Sequence, residues 1–227
     1  MPTELIVALD VPDARHIPEV VKSLPARVAY YKVGLELFTA AGPEALSYLK
    51  DSGKLIFLDL KLHDIPRTVA RAVESAASYG VQLLTVHACG GSAMLTAAAE
   101  AARGRLDIVA VTVLTSLDQQ DLTSIGVTRE LRSHILALGQ LAIDSGLQGL
   151  VCSPLETRSF REMLGPAPIL VTPGIRPAGA EAGDQKRIAT PAMAAADGSS
   201  YIVVGRPILE APNPGQAAEQ ILAALGQ

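Results

Sequence analysis

Two carboxylates and an ammonium crowd the end of one apolar run, "KLIFLDLKL" (54–62): Asp59, Lys61 and, two residues past its end, Asp64. In an extended strand, residues two apart point to the same face. Asp59 and Lys61 therefore share one side, and Leu58, Leu60 and Leu62 share the other. Such a pair offers an acid and a base to one face of the strand. Two other runs end in matching groups: Asp10 closes "ELIVALD" (4–10), and Lys32 lies within "VAYYKVG" (28–34). On neighbouring strands these residues imply a mouth lined by two acids and two ammonium groups. Desolvating that array is costly, and apolar residues of similar volume usually stabilise a fold better. A salt-bridge network that only closes the end of the sheet is the competing explanation. Charges converging from three strands favour a site.

The elements that must position these groups are legible as eight short apolar runs. The remaining five are "QLLTVHA" (82–88), "LDIVAVTVL" (106–114), "GLVCS" (149–153), "PILVTPG" (168–174) and "YIVVGR" (201–206). Most are continuous rather than alternating, the pattern of parallel strands buried on both faces. Eight helix-like segments separate or follow them, several stopped by glycines such as Gly53, Gly80 and Gly146. "TPAMAAADG" reads as a short helix with Thr190 at its N-cap and Pro191 in its first turn. The alternation predicts a single-domain (β/α)8 barrel over 1–227. A doubly wound open sheet is the alternative. The first strand is followed by no G-x-G-x-x-G, which weakens a dinucleotide reading.

In such a barrel, functional groups sit at the C-terminal strand ends. Gly205 and Arg206 end the eighth run; the glycine permits close backbone approach, and the arginine offers a forked donor. Phosphate is often held after strands seven and eight. Arg176 and Gln185, on the long 173–189 segment, are placed to close over the same anion, and a loop of that length suggests a lid. A surface charge and a turn glycine are the plain alternative for Arg206 and Gly205. Thr115 follows the fifth run. His63 reads as a loop residue, His87 as a hydrogen-bonding residue of the barrel, and Asp64 as a cap for a helix near Pro66 or a functional group. Cys89 and Cys152 read as inert core thiols.

The 227 residues carry a net charge of −4 and are 49% hydrophobic. No basic cluster marks a nucleic-acid or anionic-membrane surface. Two cysteines suggest a reducing compartment rather than a disulfide framework. No apolar run approaches the roughly 18–20 residues of a membrane span, and the N-terminus lacks a signal-peptide pattern. A cytoplasmic protein is expected.

"DLKLHDIPRTV" (59–69) resembles the D-x-K-x-x-D-I-x-x-T signature of the orotidine 5′-monophosphate decarboxylases. Similarity extends through "VALDV" (7–11), "KVGLELF" (32–38), "TVHACGG" (85–91), "AVTVLTS" (110–116), "VTPGIRP" (171–177), "GDQKRIATP" (183–191) and "VVGRPI" (203–208). The resemblance, closest to the bacterial single-function form, implies a (β/α)8 homodimer converting orotidine 5′-monophosphate to UMP and CO2, the last step of de novo UMP synthesis, without metal or organic cofactor. It implies Lys61 as proton donor to C6 and Asp59 against the departing carboxylate. Lys32 and Asp10 would bind the ribose and complete the charged array. Asp64 and Thr68 would serve the partner subunit's site. Thr115 would contact the pyrimidine, and Arg176, Gln185, Gly205 and Arg206 the phosphate. Arg67 and Cys89 depart from the family pattern at positions without an assigned chemical role. A Mg2+-dependent sugar-phosphate decarboxylase or aldolase of the same superfamily, resembling 3-keto-gulonate 6-phosphate decarboxylase, is the rival; such enzymes carry a Glu where this chain has Lys32. A non-catalytic barrel binding a phosphorylated ligand is a second rival.

Overall fold

Parallel pairing of each strand with the next, and of the eighth with the first, closes the sheet. The computed structural model describes residues 2–177 and 187–227. Its strands are β1 (Glu4–Ala8), β2 (Tyr30–Gly34), β3 (Leu55–Leu62), β4 (Leu83–His87), β5 (Asp107–Val111), β6 (Gly149–Val151), β7 (Ile169–Thr172) and β8 (Tyr201–Val204). They form one closed barrel in sequence order. The doubly wound alternative is excluded by the β1–β8 pairing.

The helices among the described residues are α1 (Ile17–Ser23), α2 (Leu35–Ala41), α3 (Glu44–Asp51), α4 (Pro66–Ser78), α5 (Ser92–Ala102), α6 (Gln119–Ser124), α7 (Leu131–Asp144), α8 (Pro154–Leu164), α9 (Pro191–Ala196), α10 (Arg206–Leu209) and α11 (Pro214–Ala224). The sequence reading of one helix per strand missed α2, α6 and α10. Each is under two turns. Thr190 does cap α9, accepting from the Met193 backbone N–H. No helix among the described residues is long and apolar enough to cross a membrane.

Side-chain alternation sorts the core into two layers. Ile6, Ala8, Tyr30, Phe57, Leu83, Val109, Val171 and Val203 fill the barrel interior. Leu5, Val7, Leu58, Leu84, Ile108, Leu150, Leu170, Ile202 and Val204 pack outward against the helices. Leu60 and Leu62 join that outer layer, half-buried. The interior apolar plug ends below the C-terminal mouth, and the polar inward residues begin there.

One irregularity shapes that mouth. Phe57 and Leu58 of β3 pair with Leu83 and Leu84 of β4, but the next pair is Leu62 with Val86. Asp59, Leu60 and Lys61 thus stand opposite the single residue Thr85. Lys61 takes a left-handed backbone conformation there, with φ of 51°. For a residue with a Cβ this costs about 1–2 kcal/mol.

Candidate active site

The four inward charged residues form a continuous chain across three strand ends. Lys32 Nζ donates to Asp10 Oδ1 at 3.0 Å. The same ammonium lies 3.8 Å from Asp59 Oδ2. Lys61 Nζ donates to that Asp59 oxygen at 2.8 Å. Two cations and two anions alternate, so the chain is formally neutral. Asp59 is buried and the side chain of Lys32 nearly so, whereas Asp10 is exposed at the rim. Each buried charge has an opposite charge beside it, the condition under which such burial is tolerated.

Alternation was expected to bring Asp59 and Lys61 to one face, and they do meet, but regular alternation is not what does it. Lys61 reaches Asp59 from within the irregular stretch. Its backbone N–H, which a regular ladder would direct to a β4 carbonyl, donates instead to Thr85 Oγ1 at 2.7 Å. Thr85 Oγ1 in turn donates to Asp59 Oδ1 at 3.0 Å.

Lys32, Asp59 and Lys61 border a cavity of about 240 Å3. Its floor is apolar, formed by Phe57, Val111, Val151 and Val203, and Thr115, Ser116 and Pro173 stand on its other walls. A flat apolar-faced ring fits such a space, with polar groups at its edges.

Two glycines make room for the charges. A Cβ on Gly34 would come within 2.7 Å of Lys32 Nζ. One on Gly205 would sit 3.0 Å from Asp10 Oδ2 and 3.3 Å from the Ala8 Cβ. Gly205 thus stands at the Asp10 end of the chain, and Arg206, exposed, begins α10 immediately after it. Arg176 lies half-buried at the foot of the long segment, where its backbone N–H donates to Ala189 O and Ile175 bridges to Ala189. Neither arginine lines the cavity. Gln185 lies outside the described residues.

Asp64 and Thr68 are not brought to this chain's cavity. Both are exposed, Asp64 just after β3 and Thr68 in the first turn of α4. Asp64 accepts the Ile65 backbone N–H at 2.7 Å. Ile65 is the N-cap of α4, which has no side-chain cap bond, so the capping role open to Asp64 is not used. His63 and His87 face each other with ring centroids 5.7 Å apart. Burial, then His63, then Lys61 push the His87 pKa down. Cys152 is buried, as expected, and burial pushes its thiol up to about 12. Cys89 is exposed, contrary to expectation, because β4 ends at His87 and the chain turns through 88–90.

The comparisons with known proteins fall on one family. Residues 3–221 match the model of the orotidine 5′-phosphate decarboxylase / HUMPS family. The chain belongs to this family. It is 49% identical to the orotidine 5′-phosphate decarboxylase of Opitutus terrae, over 99% of both chains. It is 51% identical to that of Halorhodospira halophila, over 98% of this chain and 95% of the relative. The crystal structure of the orotidine 5′-phosphate decarboxylase from Lactobacillus acidophilus superposes with a TM-score of 0.88 at 37% identity, covering 99% of this chain and all of that one.

Reading charge alone missed Thr85, Gly34 and Glu156 with Arg187 in this member of the decarboxylase / HUMPS family. Gly34 was detectable in principle: it lies two residues after Lys32 on the same inward face, where a larger residue would be usual. Arg187 and Glu156 form a buried ion pair at 2.6 Å. The other guanidinium nitrogen of Arg187 donates to the carbonyls of Val113 and Leu114 at 3.3 and 3.0 Å. Both of those residues line the cavity.

Proposed function

We propose that this chain decarboxylates orotidine 5′-monophosphate to UMP and CO2, the closing step of UMP synthesis, in a cytoplasmic setting, with 1–227 acting as one catalytic domain. The observation that carries the reading is the neutral Asp10–Lys32–Asp59–Lys61 chain beside an apolar-floored cavity. Loss of CO2 leaves an electron pair on an sp2 ring carbon with no adjacent electron sink. Fixed charges must then lower the barrier, and groups held in place before the reaction cost no reorganisation during it. The Lys61 ammonium stabilises the developing carbanion and delivers its proton to C6. Asp59, 2.8 Å from that ammonium, accepts its hydrogen bond and holds it in place. The same carboxylate repels the substrate carboxylate, and that repulsion is relieved as CO2 departs.

Lys32 and Asp10 bind the ribose hydroxyls in this scheme, and Thr115 the base. Gly205 and Arg206, beyond Asp10, take the phosphate with Arg176 and Gln185. Phosphate binding far from C6 contributes to the chemical step when it helps to order the site and exclude water. Asp64 and Thr68, exposed and apart from this chain's cavity, suit a homodimer in which each copy completes the other's site.

The Mg2+-dependent alternative within the family is disfavoured by Lys32. Its ammonium lies 3.8 Å from Asp59 Oδ2, where it repels a divalent cation. One assay tests both readings: the loss of orotidine 5′-monophosphate absorbance, with and without EDTA. Turnover unaffected by EDTA and abolished in folded Lys61→Ala is expected. No turnover by the wild-type chain refutes the proposal, and loss with EDTA favours the metal-dependent alternative.

A further inference from the structure

We infer that Thr85 is a positioning residue that sets the Lys61 backbone and the Asp59 carboxylate through one hydroxyl. This rests on the functional reading above and adds to it a residue that carries no charge.

The observations are local and mutually consistent. Three residues of β3 oppose Thr85 alone, so the ordinary ladder cannot satisfy the Lys61 N–H. Thr85 is fully buried, and no solvent is at hand to replace a missing partner. Its Oγ1 accepts from Lys61 N at 2.7 Å and donates to Asp59 Oδ1 at 3.0 Å. The hydroxyl uses its one proton and a lone pair, which a single Oγ1 can do at once. With Oδ1 committed to Thr85, Oδ2 is left to face Lys61 and Lys32. Thr85 thus orients both partners of the proton-donating pair from behind.

The left-handed Lys61 backbone persists only if its surroundings over-determine it. The bond to Thr85 is the contact that ties its amide down. Without it, Lys61 is released towards an ordinary extended conformation, which swings its side chain relative to Asp59. A shift of about 1 Å in a reacting group can cost about 100-fold in rate.

Thr85→Val removes the hydroxyl at nearly constant shape, and Thr85→Ser keeps it. For Thr85→Val, kcat is expected to fall about 10- to 100-fold with KM changed less than about three-fold, since the altered geometry acts on the reacting pair. Thr85→Ser should retain most of kcat. A crystal structure of Thr85→Val should show Lys61 out of the left-handed region. This last readout is independent of turnover, so it separates failure of this inference from failure of the functional reading. If Thr85→Val does not fold, Thr85→Cys carries the same test, its thiol being a weaker and longer donor. Wild-type kcat in the folded hydroxyl-free variant, or Lys61 still left-handed, overturns the inference.

Discussion

Arg187→Met probes the buried ion pair beside the cavity, and its consequence depends on pH in a way the structure specifies. Arg187 and Glu156 are only 8% and 7% exposed. Burial outweighs the pull of Arg187 and already pushes the Glu156 pKa up. Replacing the guanidinium leaves the carboxylate buried and uncompensated, which costs about 3–5 kcal/mol. At about 2–4 °C per kcal/mol for a chain of this size, the melting temperature at pH 8 should fall by about 6–20 °C. Unlike an orphaned arginine, the orphaned carboxyl can neutralise itself. With Arg187 gone its folded pKa rises further above the unfolded value. An acid with a raised folded pKa has its stabilising contribution fully present below the unfolded pKa and loses it as pH rises through the folded one. The deficit of Arg187→Met relative to wild type should therefore shrink as pH falls from 8 to 5.5, by up to about 1.4 kcal/mol per pH unit. Thermal and urea unfolding at several pH values measure it. A second replacement, Glu156→Leu in the same chain, should recover most of the loss, since an apolar pair of similar volume is often at least as stable. A deficit independent of pH, or below about 1 kcal/mol, would refute this account of the pair.

Gly34→Ala should leave stability nearly unchanged yet lower kcat/KM by about 10- to 100-fold. The added Cβ crowds the flexible end of Lys32, at 2.7 Å, and meets Asp10 Oδ1 at an ordinary 3.7 Å, so it moves an ammonium whose placement matters to about 1 Å. Calorimetry alongside kinetics separates the two effects, and unchanged kinetics would remove Lys32 from the site. The His87 ring should titrate below its ordinary 6.5 by NMR, because burial, then His63, then Lys61 disfavour its charged form. Lys61→Met should move that midpoint upward. His87 is a base with a depressed pKa, so the stability it contributes is present above 6.5 and is lost as pH falls through its folded value. Lys61→Ala and Asp64→Asn chains, each inactive alone, should recover about a quarter of wild-type activity when refolded together, as a symmetric dimer with exchanged site residues requires. No recovery in verified mixed dimers would count against exchange.

The barrel and the charged array were legible for different reasons. Eight continuous apolar runs separated by helix-length segments leave few topologies open, and the β1–β8 pairing chose between the remaining two. Asp10, Lys32, Asp59 and Lys61 stood out because charge at the end of a buried strand is expensive. Alternation placed Asp59 and Lys61 together, yet regular alternation does not account for their meeting. An insertion of two residues leaves no mark in a pattern of period two: β3 gains two between Leu58 and Leu62, and Leu62 faces outward as in an undisturbed strand. Asp64 as a helix cap was equally consistent with spacing, and only the Ile65 N-cap geometry removed it. The Glu156–Arg187 pair was invisible because its members are 31 residues apart on elements that meet only once the barrel closes.

Three uncharged residues, of which only Gly205 was singled out from the sequence, share a property. Thr85, Gly34 and Gly205 carry no charge, and each fixes where a charge can stand. Lys32 and Lys61 approach the same Asp59 oxygen, at 3.8 and 2.8 Å. Three contacts hold this arrangement. Thr85 occupies the other oxygen, Gly34 leaves space for Lys32, and Gly205 leaves space for Asp10 at the end of the chain. Charged residues supply the field, but a field lowers a barrier only where it is aimed. On the proposed reading the aiming falls to a hydroxyl and to two missing side chains, so Thr85→Val and Gly34→Ala, which conserve every charge, are expected to lower the activity.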